Sequence, residues 1–514
     1  MKRIGISLFF SASLAAAVAQ TNATPRALSL DDCIQSALAH NFDLQIQRYD
    51  PQLSLYGLYA DYSGYDPTFN LSGEHKWNSG AISSNGYTNT TLIGTNAVSN
   101  FVLFPRNSSD QNLLNTDLGG SLPWGLNYDF VANLTQSYGP SYSGTTNLLA
   151  SANKNTDGSV EVDLTQHLLK NFWIDSTRLT IQVDKNRLKY AGQTLRQHFI
   201  NTITEVENAY YELIYAQESV KVQQEALTLA QTQLDQDKQR VQVGSLAPLD
   251  VQQDEAQVAQ SQASLIAAQS KLNSSQNALK NLITDKYTEW HDVDIQPTAT
   301  LAAPVVMFDL QDSWNKGLTI RPDLLQARLD VEKQGINLKF ERNQLFPSLD
   351  VVGSYGYGGA NRDYSGTFDQ INTGDQPYYT FGAKLSMPLG NVSARNGYKA
   401  GKVTEKQLLL TLKQLEQTVM VNIDNAVKLA QSDYQSVEAS RQARTYAEAA
   451  LNAEQKKYAV GKSTTFTVLQ LQNTLTSDRA AEIRALANYN EDLANLSQQE
   501  GSTLERHKID VQAK

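Results

Sequence analysis

The chain carries one plan twice. Residues 30–69 align without a gap onto residues 310–349: Leu30 falls on Leu310, Leu38 on Leu318, Asp43-Leu44 on Asp323-Leu324 and Pro67 on Pro347, all at one offset of 280. A second echo follows at an offset of 217, where Val243-Gly244 in RVQVGSLAPLDVQQ matches Val460-Gly461 in KYAVGKSTTFTVLQ. Two blocks in the same order with matched surroundings mark a duplicated unit, and a duplicated unit must pack against its own copy. The difference between the offsets, 63 residues, makes the first copy longer between its Pro and its Gly. The surplus is assigned to the strand-and-loop region 78–158. Part of it, 113–136, reads as an extra β-hairpin turning at Pro123-Trp124-Gly125.

Long helical tracts flank both Val-Gly echoes. Val206, Leu213, Val220, Leu227, Leu234 and Val241 recur every seven residues before Gly244, and Val251, Val258, Leu265, Leu272 and Leu279 do so after it. Heptads on both sides of a Gly-Ser…Pro break predict an antiparallel helical hairpin with its tip near 244–248. An arm over 178–242 would span roughly 95 Å at about 1.5 Å per residue. Gln217, Gln224 and Gln231 sit beside the seam, so the apolar stripe is narrow and lateral neighbours from other subunits are expected. The second copy repeats the design around Gly461. Its entering arm carries Leu408, Leu412, Leu415, Val419, Ile423, Ala426 and Ala430, a spacing close to that of a straight helix.

Between the helices the period changes to two. In YYTFGAKLSMPL, Tyr379, Phe381, Ala383 and Leu385 oppose Thr380, Gly382, Lys384 and Ser386. In VEVDLTQHLL, Val160, Val162 and Leu164 oppose Glu161, Asp163 and Thr165. Strands are expected at about 67–77 and 159–170 in the first copy and at about 347–359 and 378–389 in the second. Alternation suits any half-buried sheet, but abundant tyrosine and polar loops (78–100, 140–158, 360–376) suit an outer-membrane β-barrel. No segment beyond the N-terminus has about 18 consecutive apolar residues, so a membrane role must use strands. The first residues, MKRIGISLFFSASLAAAVAQ, have the form of a secretory signal cut after Ala19. The single cysteine, Cys33, forms no intramolecular disulfide, and a net charge of −10 without a basic cluster argues against nucleic acid and anionic lipid as partners.

The expected organisation is a signal peptide at 1–19 and a first repeat at 20–285, its hairpin at about 178–284. A linker at 286–309 leads to a second repeat at 310–500, its hairpin at about 395–498, and a tail at 501–514. The fold class is an α+β membrane protein with four core strands per chain. Four strands cannot close a barrel, whose interior needs about eight or more. Open edges in lipid would leave backbone groups unpaired, so the chain is expected to oligomerise, and three chains would give twelve core strands.

The opening helix LSLDDCIQSALAHNFDLQIQ, its echo LQDSWNKGLTIRPDLLQARLDVEKQGINLKFERNQLFPSLDVVGSYGY and the tips VGSLAPLDVQQ and VGKSTTFTVLQLQ resemble the TolC-like family of outer-membrane efflux and secretion channels. The resemblance covers nearly the whole mature chain. It implies a homotrimer with a twelve-stranded barrel in outer-membrane lipid and a long α-helical tunnel in the periplasm. It also implies a periplasmic membrane-fusion adaptor and an inner-membrane transporter as partners. By the same resemblance, Val243, Gly244, Ser245 and Leu246, with Val460, Gly461, Lys462 and Ser463, are adaptor-facing tips; each Gly also supplies the positive φ of a turn. Some family members carry acidic residues just after the second tip that ring the tunnel entrance. The matching positions here, Thr467 and Gln470, are neutral, which leaves them as aperture candidates that constrict by hydrogen bonding. Asp250, the first-copy counterpart, reads as a solvated acid near a helix start.

The six histidines show no metal-ligand spacing, and no P-loop, Gly-x-Ser-x-Gly or His-Glu-x-x-His motif occurs. No enzyme and no cofactor are expected. The sequence reads as the exit duct of a tripartite efflux pump or type I secretion system. The competing reading is a periplasmic or surface coiled-coil protein without transport, which the aromatic-ended alternating strands disfavour.

Overall fold

The computed structural model describes residues 25–80, 86–103, 108–143 and 149–510. The expected signal peptide, 1–19, lies outside the described residues, as do parts of the polar loops at 81–85 and 144–148. Ten strands are described: β1 Arg26–Leu28, β2 Thr68–Ser79, β3 Gly86–Ile93, β4 Asn96–Leu103, β5 Ser108–Ser121, β6 Leu126–Ser143, β7 Leu149–His167, β8 Ile295–Pro297, β9 Ser348–Asn361 and β10 Gln376–Ser386. The first-half helices are α1 Leu30–His40, α2 Phe42–Gln47, α3 Tyr49–Asp61, α4 Ser176–Gln242, α5 Pro248–Ile283 and α6 Tyr287–Trp290. The second half holds α7 Leu310–Ile320, α8 Pro322–Asn343, α9 Tyr364–Thr373, α10 Val392–Ala459, α11 Thr465–Glu500 and α12 Thr503–Arg506. The halves match closely: α1 and α7 have 11 residues each, α4 and α10 have 67 and 68, and α5 and α11 have 36 each.

Two compact units divide the chain, and each takes segments from both halves. One comprises Met1–Asp50, Gln193–Leu325 and Gln414–Lys514; the other comprises Pro51–Gly192 and Gln326–Lys413.

The second unit is built around a six-stranded antiparallel sheet in the order β10-β9-β7-β6-β5-β2. Its register aligns side chains into rows of alternating character. One row runs Phe69, Leu118, Phe130, Val162, Tyr355, Tyr379 across all six strands; the adjoining row on the opposite face runs Thr68, Gly119, Asp129, Asp163, Ser354, Thr380. The period-two pattern therefore sorts an apolar face from a polar one. Away from the end that α9 covers, the apolar face is bare: Phe69 is 66%, Tyr379 71% and Phe381 84% exposed. The polar face is hydrogen-bonded between strands, with Asn70 Nδ2 donating to Asp117 Oδ2 (2.8 Å), the Tyr378 hydroxyl to Glu161 Oε2 (2.9 Å) and His167 Nδ1 lying 2.6 Å from Asp350 Oδ1.

The four strands expected from the two repeats, β2, β7, β9 and β10, all lie in this sheet, and two further strands lie between β2 and β7. The hairpin read at 113–136 is β5–β6, turning at Leu122–Gly125, and it pairs with β2 on one side and β7 on the other because its apolar residues share their parity. Strand β7 starts at Leu149, earlier than expected, because β6 pairs with it along its full length. Strand β10 stops at Ser386, two residues before Pro388, which has no N–H for a ladder. Strands β3 and β4 form a separate two-stranded sheet.

In the first unit, β1 and β8 pair in parallel, a pairing the sequence reading did not foresee. Ser29 caps α1 through a capping box with Asp32. Cys33, Ile34 and Leu44 then pack against Ile200, Ile203, Tyr210 and Leu213 of α4 and Leu279 and Ile283 of α5. Each such side chain contributes about 1.5–3 kcal/mol by leaving water. Burial pushes the Cys33 thiol up to about 12, so it is an inert packing group. The Tyr210 hydroxyl donates to Leu28 O (3.0 Å) and accepts from Ala299 N (3.3 Å), tying α4 to the segments beside β1 and β8. Arg484 of α11 lies over Tyr215 and bonds both Glu212 and Glu491, and Lys271 of α5 is 2.9 Å from Glu212. These charges join three helices where the apolar stripe is thin. In the C-terminal stretch, Thr503 and Leu504 of α12 are buried.

The heptad holds only in part. Val206, Leu213 and Leu227 are buried, but nearer the tip the buried positions become Ala230, Gln233 and Asp237 in place of Leu234 and Val241. An α-helix of 3.6 residues per turn drifts against a repeat of 3.5, and the seam moves around the helix. On α10, whose stripe is not a heptad, Val427 is buried and Ala426 half-buried.

Candidate functional site

The site is the end of the first unit where both helical hairpins turn. Each ascending helix ends in the same backbone motif. Ser245 N donates to Arg240 O (2.8 Å) and Gly244 N to Val241 O (3.0 Å); in the second copy Lys462 N donates to Lys457 O (2.9 Å) and Gly461 N to Tyr458 O (3.1 Å). These paired bonds make a Schellman cap, which needs a left-handed residue, and Gly244 and Gly461 have φ of 75° and 70°. The Val-Gly echo of the sequence is thus a duplicated helix stop. A Cβ at either glycine would meet nothing within 4 Å. Gly244→Ala and Gly461→Ala are therefore expected to cost only the backbone strain, about 1–2 kcal/mol each. Faster amide hydrogen exchange confined to the last turns of α4 and α10 is the measurement that checks it.

The two copies restart differently. Pro248 opens α5 at the first helical position without a side-chain cap, whereas Thr464 caps α11 by accepting from Thr467 N (3.3 Å). Val243 (79% exposed) and Val460 (68%) project at the turns, Leu246 is half-buried, and Leu249 and Phe466 are exposed just beyond. Ser245 Oγ donates to Arg240 O (3.0 Å) and Ser463 Oγ to Glu454 Oε1 (2.6 Å), while Lys462 is exposed. Of the aperture candidates, Thr467 is taken into the cap, its hydroxyl 3.0 Å from that of Thr464. Gln470 is exposed and lines an open groove of ≈ 920 Å³ between α5 and α11, with Gln253, Gln257, Gln260 and Asn473. Gln257 and Asn473 close it by exchanging amide bonds of 2.8 and 3.1 Å. Asp250 lies in the first turn of α5.

One cluster escaped the sequence reading. Asp237 of α4 is fully buried and is held by four side chains. The Tyr458 hydroxyl is 2.7 Å from both of its oxygens, Gln233 Nε2 donates to it (2.7 Å), Thr465 Oγ1 lies 3.4 Å away, and Arg240 Nη1 lies 3.8 Å away over the Tyr458 ring. Asp254 of α5 is also fully buried, and among the described residues neither of its oxygens meets a donor side chain or N–H. Burial first, then the adjacent Asp237 carboxylate and Asp250, push Asp254 up to about 7. When Asp254 is protonated, its proton can sit between the two carboxyls and turn repulsion into a hydrogen bond. Burial and Asp237 also push the Tyr458 hydroxyl up to about 12, so it stays a donor. Four helices, two from each hairpin, converge on this one carboxylate pair. A second such pair, Asp433 and Asp492, joins α10 and α11, and burial with Asp433 pushes Asp492 up to about 7. Among the described residues no group of three His, Cys, Asp or Glu could hold a metal ion.

A two-faced antiparallel sheet with an apolar side and two long helical hairpins, one plan used in both halves, define a duplicated α+β protein. The chain belongs to the outer membrane efflux protein family, whose pattern it matches over 133–284 and 315–502, more than half its length. It is 26% identical over 322 residues to the outer membrane protein TolC of Vibrio cholerae, an alignment spanning 60% of this chain and 70% of that protein. It is 26% identical over 308 residues to TolC of Escherichia coli, spanning 58% of this chain and 60% of that protein, less than two thirds of its length. Its fold is shared with the outer membrane protein VceC of Vibrio cholerae, at a TM-score of 0.63 with 15% identity, covering 92% of this chain and 96% of the other. As in these relatives, its place is the outer membrane.

Proposed function

We propose that the protein is a homotrimeric exit duct, passively conducting solutes delivered by an inner-membrane transporter through a periplasmic adaptor. The observation that carries this reading is the six-stranded sheet, one face apolar and bare and the other polar, in a chain of an outer-membrane efflux family. Lipid demands that every backbone group be paired, yet β2 and β10 end the sheet with open edges. Further copies of the chain supply the missing partners, and the family resemblance supports three. Exposed Val421, Leu429 and Tyr446 on α10 fit a helical wall completed by neighbouring copies. The two repeats, 20–285 and 310–500, then act as paired staves of one wall, joined by 286–309. In this reading the duct does no chemistry of its own, and the energy for export comes from the inner-membrane partner.

The tips are the adaptor contacts: Val243, Gly244, Ser245 and Leu246 in one hairpin and Val460, Gly461, Lys462 and Ser463 in the other. They offer small apolar knobs on a rigid cap, the form in which loops carry recognition on a scaffold. Gln470 and Thr467 face the aperture as neutral groups. Cysteine at Ser245 or Lys462, in a Cys33→Ala background, is expected to crosslink to the cognate periplasmic adaptor. Intact trimers with no crosslink at either tip would remove the tips from the contact.

A further inference from the structure

We infer that each chain contributes six strands to the membrane wall, so that three copies close an eighteen-stranded barrel; the number of copies rests on the trimeric reading above. The hairpin β5–β6 lies inside the sheet, between β2 and β7, where it interrupts the pairing of strands that both repeats supply. Inserting two antiparallel strands leaves every other strand's direction unchanged, so the addition is silent in the topology. It is also in phase. Leu118 and Phe130 of the hairpin complete the apolar row between Phe69 and Val162, and Gly119 and Asp129 complete the polar row between Thr68 and Asp163. A one-residue slip would have put Asp117 and Val131 into the apolar row and reversed both faces.

Exposure of the hairpin follows its neighbours: Leu114, Leu118 and Phe130 are 45%, 39% and 48% exposed on the apolar face, as Val160 and Leu164 of β7 are 45% and 43%. An outward apolar surface of this kind on a hairpin standing in water would be unsupported, whereas lipid covers it on both flanking strands. The upper end is integrated too. A Cβ at Gly158 of β7 would meet Leu134 from the hairpin and Thr367 and Ile371 from α9, each at 3.1 Å, and Gln136 Nε2 donates to Thr156 Oγ1 (3.1 Å). A four-stranded alternative requires β2 to lie against β7, but that edge of β7 is filled by β6 from Leu126 to Ser143.

Barrel diameter grows roughly linearly with strand number, so eighteen strands make a lumen about 1.5 times as wide as twelve, in the range where porins hold an open aqueous channel. An even count of eighteen lies within the known span of outer-membrane barrels. The wider wall would pass bulkier solutes than the repeat-derived strands alone allow.

The test uses the wild-type protein in lipid nanodiscs and single-cysteine nitroxides in a Cys33→Ala background. Native mass is expected to report three copies, and images of the membrane slab eighteen strands. Labels at Leu118 and Phe130 should collide with lipid-phase oxygen and labels at Asp117 and Val131 with aqueous nickel chelate, matching Phe69 and Asn70 of β2. A trimer with twelve strands, or with aqueous labels on both faces of β5–β6 while β2 alternates, overturns the six-strand wall and leaves the trimer standing. Alternating labels in an assembly of another size overturn the trimer and with it the count of eighteen.

Discussion

Replacing Asp254 by asparagine is expected to raise the thermal unfolding midpoint of the purified protein at about pH 8 and to flatten its dependence on pH. The cause is the buried pair. Asp254 has its folded pKa raised from 3.8 to about 7, by burial first and by Asp237 second. Between those values the folded state binds more protons than the unfolded one, so stability falls as pH rises through the window and is lowest above about 7. A shift of that size is worth on the order of a few kcal/mol per chain. Asp492, raised to about 7 by burial and Asp433, acts with the same sign. Groups held low, such as Glu212 beside Lys271 and Arg484, lose their contribution only as pH falls below the ordinary carboxylate range, outside this window. Wild-type protein should therefore melt at a higher temperature near pH 5 than near pH 8, and Asp254→Asn with Asp492→Asn should erase most of the difference. Melting followed by circular dichroism at the two pH values checks it; a wild-type midpoint that rises with pH would contradict the buried-pair account.

The sequence revealed most where one residue type does one physical job. Gly244 and Gly461 are the left-handed stops of two Schellman caps, a role almost any other side chain strains, so their echo could be read directly. The alternation in VEVDLTQHLL and YYTFGAKLSMPL placed both faces of β7 and β10 because a strand's period leaves no choice. The strand count was harder. Whether Leu114–Leu118 and Phe130–Leu134 join the wall depends on register with distant strands, and nothing local fixes it. The pairing of β1 with β8 joins Arg26–Leu28 to Ile295–Pro297, two three-residue strands too short for any pattern. The buried acids were masked by the heptads. Leu234 and Val241 looked like the seam, but helix drift turns Gln233 and Asp237 inward instead, and Tyr458 faces them three residues before Gly461. The one available signal was an acid and a tyrosine on seam-adjacent positions of the two hairpins, each within seven residues of its tip glycine. Thr467, read as an aperture residue, also serves the α11 cap, where its N–H donates to the Thr464 side chain.

Replacing Tyr458 by phenylalanine is expected to loosen the two hairpins from each other near their tips and to raise the single-channel conductance of the protein in planar bilayers. The Tyr458 hydroxyl is the shortest link from α10 to the buried Asp237 of α4, and it also lies 2.8 Å from Thr465 Oγ1 of α11. A hydrogen bond to a buried carboxylate is charge-assisted, and removing its donor leaves Asp237 with Gln233 as its one close donor. The cost is about 1–3 kcal/mol per chain, enough to shift an opening equilibrium tenfold or more. Asp237→Asn separates the bond from the charge. Its amide oxygen still accepts from Tyr458 while the repulsion on Asp254 disappears, so that variant should keep the wild-type conductance and melt higher than wild type. If Tyr458→Phe lowers the melting midpoint but leaves conductance and open probability unchanged, the bond holds the helices together without controlling the mouth. If both variants open the channel, the charge on Asp237, rather than the tyrosine bond, is what keeps the hairpins in place.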